Sequence, residues 1–314
     1  MKKVSLIGAA SGWGAGIRET ESGPEALLEF GLADALQKKG IDAEWTDMIV
    51  PERRWRDAPD LVRSEVYRLV LQEDAALADA VAAAMAAKTL PVVLGGDHSI
   101  AVGTWGGVAR EHKGPLGLIW FDAHLDAHTM ETSPSLNPHG MSAAVLLGHG
   151  APEFLAIGGG VVRPENFCYI GARSFEEGEH ALLQRLGVRI VYMEEIHRRG
   201  LKAVVDNAVA IATSGTTGFG MTIDLDGFEP EDAPGIGLKT PDGLRRDEMI
   251  PALARLAGRP DLAAIEIVEY IPEFDIDLRT AKLTRDLLLA LLAPAKRGSA
   301  ARKKPASFPT DALV

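Results

Sequence analysis

The sequence predicts an α/β fold, a mostly parallel sheet covered on both faces by helices. Three observations carry that expectation. Short apolar runs recur along the 314 residues, the segments between them place apolar residues at three- and four-residue intervals, and clusters of Asp and His follow directly on several of the runs. In open parallel sheets the loops at the carboxyl ends of strands converge on one crevice, so polar residues are expected there.

The first strand is expected over 4–8, because the apolar stretch after Lys2 and Lys3 soon meets Gly12, Trp13, Gly14 and Arg18 and is too short for a leader peptide. A helix follows over 24–39, closed by Gly40, and a long one over 64–88. Strands are expected over 91–94, 116–121, 167–170, 189–192, 219–223 and 263–268, with helices over 177–186, 201–213, 246–256 and 280–292 in the intervals. No internal repeat or domain linker interrupts this alternation. Residues 1–295 are therefore expected to form a single domain, and 296–314, with Lys296, Arg297, Arg302, Lys303 and Lys304, a basic solvated tail.

Composition narrows the function. A chain with 46% hydrophobic and 25% charged residues can bury a core, which excludes composition-driven disorder. Its net charge of −11 argues against nucleic-acid or anionic-membrane partners and suits a small cationic ligand. The single cysteine, Cys168, excludes an intramolecular disulfide and a thiolate zinc fold, and with the absence of an apolar run of roughly 20 residues it predicts a cytoplasmic protein.

Three strand ends carry matching chemistry. The run over 91–94 leads into Gly95-Gly96-Asp97-His98-Ser99, in which His98 taken alone reads more readily as a structural cap in a glycine turn than as a ligand. The run over 116–121 leads into Asp122-Ala123-His124-Leu125-Asp126-Ala127-His128, and the run over 219–223 into Asp224-Leu225-Asp226. If the extended backbone continues past residue 121, Asp122, His124, Asp126 and His128 share one face. Carboxylates desolvated at a strand end repel one another unless a cation neutralises them. His98, Asp122, His124, Asp126, Asp224 and Asp226 are too many ligands for one zinc, and a thiol-free, oxygen-rich set suits two hard divalent ions such as manganese. Such a pair, about 3.5–4 Å apart, lowers the pKa of a shared water and makes a hydroxide nucleophile.

In this order the three motifs resemble those of the ureohydrolase family, the arginases, agmatinases and related guanidino-acid hydrolases. The resemblance runs from Gly23-Pro24 to Glu269-Tyr270-Ile271-Pro272. It implies a three-layer αβα sandwich around about eight strands, assembly as homotrimers or homohexamers, and two Mn2+ per subunit, with Ni2+, Co2+ or Fe2+ as alternatives. By the same resemblance His98 and Asp126 hold the deeper ion, His124 and Asp226 the other, and Asp122 and Asp224 bridge both. The implied reaction is attack of the bridging hydroxide on a guanidinium carbon, with release of urea and an amine. Asp126 then also moves a proton, Glu269 pairs with the substrate guanidinium, and His139 carries a proton to the leaving amine.

The loop 132–141 is more like the arginase version than the agmatinase one. That likeness maps recognition of the α-carboxylate of L-arginine onto Ser135 and Asn137, and of its α-ammonium onto Glu176, supported by Glu179. The chain also departs from the arginase pattern. His128 stands where an asparagine usually contacts the carboxylate, Leu136 replaces a glycine, Glu176 replaces an aspartate and Ile271 replaces an asparagine. The expected function is therefore hydrolysis of L-arginine to L-ornithine and urea, with another guanidino acid such as 4-guanidinobutanoate, or agmatine, as the alternative substrate. A metal-binding assembly protein without turnover is the non-enzymatic alternative.

Overall fold

The computed structural model describes residues 2–57 and 61–293, so the basic tail expected over 296–314 lies outside the described residues. In chain order the elements are β1 (Val4–Ala9), α1 (Gly23–Glu29), α2 (Leu32–Gln37), β2 (Ala43–Ile49), α3 (Arg63–Ala86), β3 (Leu90–Gly95), α4 (Ala101–Glu111), β4 (Leu116–Phe121), α5 (Ser142–Leu146), α6 (Pro152–Gly158), β5 (Val162–Ala172), α7 (Glu177–Leu186), β6 (Arg189–Tyr192), α8 (Met193–Arg199), α9 (Leu201–Ala212), β7 (Gly218–Asp224), α10 (Arg246–Ala254), β8 (Leu262–Val268) and α11 (Arg279–Leu292).

The strands form one eight-stranded sheet in the order β2-β1-β3-β8-β7-β4-β5-β6, and every strand pairing is parallel. β3 and β4 are consecutive in sequence yet stand apart in space, with β8 and β7 between them. All four therefore lie in the middle of the sheet, and the loops that leave their carboxyl ends open onto a common crevice, as topological switches do in open sheets.

Side chains alternate across each strand and divide the core in two. Ile119 and Phe121 of β4 pack with Cys168, Met221 and Ile265 beneath α1, α2, α9, α10 and α11. Leu118 and Trp120 pack with Val93, Phe167 and Tyr169 against α3, α4, α5 and α7. The central strands are apolar on both faces because both are covered, which makes three layers.

Several elements differ from the expectation. The helix expected over 24–39 is two helices, because Gly31 adopts φ 75 and breaks the ladder between them. The edge strand β2 escapes detection because its Glu44, Thr46 and Asp47 face solvent and leave no apolar run. Helix α4, with Gly103, Gly106 and Gly107, lacks a conventional amphipathic stripe. Its glycines allow close approach to α3 and α6, since a Cβ on Gly103 would stand 2.6 Å from Asp74 O and one on Gly106 2.5 Å from Ile157 O.

No described helix is long and apolar enough to cross a membrane. Helix α9 seats closely on β4, where a Cβ added to Gly117 would lie 1.9 Å from the Ala212 carbonyl oxygen. Backbone cannot yield as a side chain does, so Gly117→Ala should destabilise the fold by about 3 kcal/mol, the upper end for overpacking. Urea denaturation followed by circular dichroism measures the loss.

Candidate metal centre and substrate cleft

Each central strand contributes to the site as it ends. Gly95-Gly96 turn the chain out of β3, and a Cβ on Gly96 would collide with Ser11 O at 1.8 Å, so the turn passes hard against the loop after β1. Asp97 then caps the following turn by accepting from Ser99 N at 3.0 Å, and His98 is delivered to the floor of the crevice.

After β4 the backbone does not stay extended, contrary to the shared-face expectation. The strand ends at Phe121 and the chain leaves as an irregular loop in which Asp126 adopts φ 47. Asp122, His124 and Asp126 reach the crevice through that turn. His128 is carried away from them into a different group with Glu176 and Glu179. After β7, Asp224 Oδ1 accepts from Asp226 N at 2.7 Å, a tight turn that aims both acids the same way.

Two donor clusters result. In the deeper one, His98 Nδ1 faces Asp122 Oδ2 at 3.4 Å, Asp126 Oδ2 at 3.0 Å and Asp224 Oδ2 at 3.1 Å. In the outer one, His124 Nδ1 faces Asp122 Oδ1 at 3.5 Å and Asp226 Oδ2 at 3.1 Å. Asp122 gives one oxygen to each cluster. It is itself held by Trp120 Nε1, which donates to Oδ2 at 2.8 Å, and by His124 N, which donates to Oδ1 at 2.7 Å.

The donor set fits divalent cations. Asp226 Oδ1 is buried without a hydrogen-bond partner, an orphan that a cation would satisfy. Burial pushes Asp126 and Asp224 up, helped by the Asp122 charge and, for Asp224, by that of Asp226. Burial opposes charge on the two imidazoles, yet the surrounding carboxylates override it and raise both. Each of these shifts expresses a demand for positive charge among crowded acids.

Above the cage is a cleft of about 300 Å³, lined by every predicted site residue except His98 and Asp122, which lie beneath it. Glu269 terminates β8 in the left-handed region, at φ 67, with its N–H donating to Gly96 O at 2.8 Å. Strained non-glycine backbone of this kind persists where its surroundings over-determine it. Glu269 Oε1 accepts from His98 N at 2.9 Å and stands 3.7 Å from His139 Nδ1. Burial opposes the charged form of His139, but Glu269 overrides it and the imidazole pKa is pushed up to about 9.

At the far end of the cleft, Glu176 and Glu179 form a capping box on α7. His128 Nε2 lies 3.1 Å from Glu176 Oε2, and its Nδ1 lies 3.1 Å from Thr132 Oγ1. Burial pushes Glu179 up to about 8. Ser135 and Asn137 line the same end, with Ser135 Oγ accepting from Asn137 N at 3.2 Å. Leu136 between them holds φ 57, the conformation for which a glycine is the ordinary choice, and its carbonyl accepts from Tyr67 Oη at 2.8 Å.

Sequence reasoning missed part of the wall. Ala15, Gly16 and Ile17, from the glycine-rich loop after β1, line the cleft, and Gly14 O accepts from His139 N at 3.1 Å. The rule that polar and glycine-rich segments after strands form sites would have found that loop. Nothing local flagged Arg173, which donates to Asp226 O at 3.0 Å, Gly227 O at 3.1 Å and Thr240 O at 2.8 Å and so ties down the loop after β7.

This sheet, with acids and imidazoles gathered at the ends of its central strands, defines a hydrolase of the ureohydrolase class. The chain belongs to the arginase family, whose model matches residues 2–293. It is 37% identical to the arginase of Bacillus caldovelox, the match covering 93% of this chain and 98% of that protein, and 35% identical to the arginase of Bacillus subtilis (strain 168) with the same coverage. Among solved structures, the native Bacillus caldovelox arginase superposes with a TM-score of 0.86 at 36% identity over 94% of this chain and 99% of that one. The Entamoeba histolytica arginase, solved with L-ornithine, does so with a TM-score of 0.83 at 26% identity over 93% of this chain and 98% of that one.

The Glu269–His139 contact makes a testable prediction. Removing the carboxylate removes the main influence that raises the imidazole, so in Glu269→Gln the titration of His139 should move from about 9 toward the ordinary histidine value. Imidazole NMR signals followed against pH, assigned with a His139→Asn variant, report it.

Proposed function

We propose that the protein hydrolyses L-arginine to L-ornithine and urea at a pair of manganese ions. The observation that carries the reading is Asp122, which gives one oxygen to each of two adjacent imidazole–carboxylate clusters beneath a cleft. His98, Asp126 and Asp224 would complete the deeper set and His124 and Asp226 the outer one, with Asp224 a second bridge. Bound there, the cations would supply a water of lowered pKa as nucleophile toward the guanidinium carbon.

The chain's own residues account for orientation and proton movement. Glu269 Oε1 is already engaged by His98 N, which leaves Oε2 to accept from the planar N–H donors of a guanidinium. Asp126 faces His98 on one side and the cleft on the other, which places its carboxylate to take a proton from the nucleophile. His139, with its pKa near 9, holds a proton at neutral pH and can pass it to the leaving amine.

Substrate length and charge follow from the far wall. Glu176 offers a carboxylate to an ammonium group, and the Ser135 and Asn137 side chains offer donors to a carboxylate, a pairing that fits an α-amino acid. His128, with its nitrogens engaged by Glu176 and Thr132, acts as a brace for Glu176 rather than as a carboxylate ligand. Relatives named arginases over nearly the whole chain support the same substrate.

Purified, manganese-loaded protein should release urea from L-arginine with a higher kcat/KM than from agmatine, 4-guanidinobutanoate or 3-guanidinopropanoate. No urea from any of them would sink the hydrolase, and a preference for agmatine would sink the amino-acid specificity. Asp122→Ala and Asp224→Ala should lose bound manganese, read by metal analysis, together with nearly all turnover. Ser135→Ala should raise KM for L-arginine about tenfold, as expected for one hydrogen bond to a charged group, and leave agmatine unchanged.

A further inference from the structure

Beneath the cage, an acid occupies a place where a central strand has no ordinary use for one. Glu266 sits in the middle of β8, in Ala263-Ala264-Ile265-Glu266-Ile267-Val268, and is 0% exposed. A carboxyl buried so deeply is strongly unfavourable unless specific hydrogen bonds compensate for lost water. Its registered neighbour on β7 is Thr222, also fully buried, whose Oγ1 donates to Glu266 Oε1 at 2.7 Å.

The proton count then fixes the next link. A hydroxyl has one hydrogen. With that hydrogen directed at Glu266, Thr222 Oγ1 has only lone pairs for its other partner, His98 Nε2, at 2.9 Å. With Glu266 ionised, Nε2 therefore carries the hydrogen and donates it. In the neutral ring Nδ1 is then left with a lone pair, aimed at the oxygens of Asp122, Asp126 and Asp224. In that neutral form four acceptors converge, an arrangement that a cation satisfies. The plane of the ring is fixed by stacking on Trp120, with centroids 4.2 Å apart and planes 21° apart.

We propose that Glu266, acting through Thr222, is a positioning residue that fixes His98 as the Nε2-protonated tautomer and so reserves the deeper half of the cage for a divalent cation. This rests on the metal-centre reading above. Glu266 touches neither cation nor substrate; its influence passes along the line from Glu266 Oε1 to Thr222 Oγ1 to His98 Nε2. Supporting partners of metal-bound histidines characteristically change metal affinity by 10–100-fold.

The test is Mn2+ titration of metal-free, full-length protein, with free ion read by electron paramagnetic resonance and folding checked by circular dichroism. Wild type should bind two ions. Thr222→Val keeps the side-chain shape but removes the hydroxyl, and one of the two ions should bind 10–100-fold more weakly. Thr222→Ser should restore wild-type affinity. Glu266→Leu, which keeps the bulk but offers no acceptor, should weaken the same ion at least tenfold, because the Thr222 hydroxyl hydrogen is then free to point at His98. With manganese saturating, the folded variants should recover kcat with KM unchanged. If wild type binds no Mn2+, the metal-centre reading fails. If wild type binds two ions while Thr222→Val or Glu266→Leu binds both with unchanged affinity, the positioning role alone is overturned. A purely structural role would lower stability in all three variants without the serine rescue of affinity.

Discussion

Like charges crowded at the mouth of the central sheet are the constraint around which the molecule is organised. Asp122, Asp126, Asp224 and Asp226 are buried within reach of one another, and water cannot screen them there. Such a cluster is tolerable only where its charge is answered, by protons in the bare protein or by cations at work. The strand order makes the crowding possible, because β3, β8, β7 and β4 are neighbours in space although their residues lie far apart along the chain.

Around that cluster, packing and hydrogen bonding remove freedom from each side chain in turn. Trp120 holds Asp122 through its indole N–H and His98 through stacking, so one core residue restrains two members of the cage. Glu269 joins the cage to the cleft, since its carboxyl accepts from His98 N and faces His139. The loop after β1 enters through Gly14, whose N–H donates to Asp97 Oδ2 at 2.9 Å and whose carbonyl receives His139 N. Chemistry that depends on fractions of an ångström is thereby carried by a rigid sheet and not by its loops alone.

Apolar runs of β3, β4, β7 and β8 are readable because strands covered on both faces have no polar alternation to disguise them. The edge strand β2 and the glycine-rich α4 were not readable, the one because half its residues meet water, the other because its contacts are backbone to backbone. The acids and imidazoles of the cage stood out by type and by following strands. Asp122, His124 and Asp126 converge by a turn through φ 47 at Asp126, not by strand periodicity, and for that reason His128 parts from them. Thr222 and Glu266 gave no signal, since a threonine and a glutamate within strands have many uses.

Local composition and order along the chain determined the alternating architecture, the acid- and histidine-bearing segments and the resemblance to ureohydrolases, because each depends on residues close together in sequence. Only the tertiary structure decided which oxygen of Asp122 faces which imidazole, that His128 meets Glu176, and that Thr222 and Glu266 lie behind His98. Those are relations between residues as much as 171 positions apart, as in the Glu269–His98 contact, and they exist only once the crossovers have brought the strands side by side.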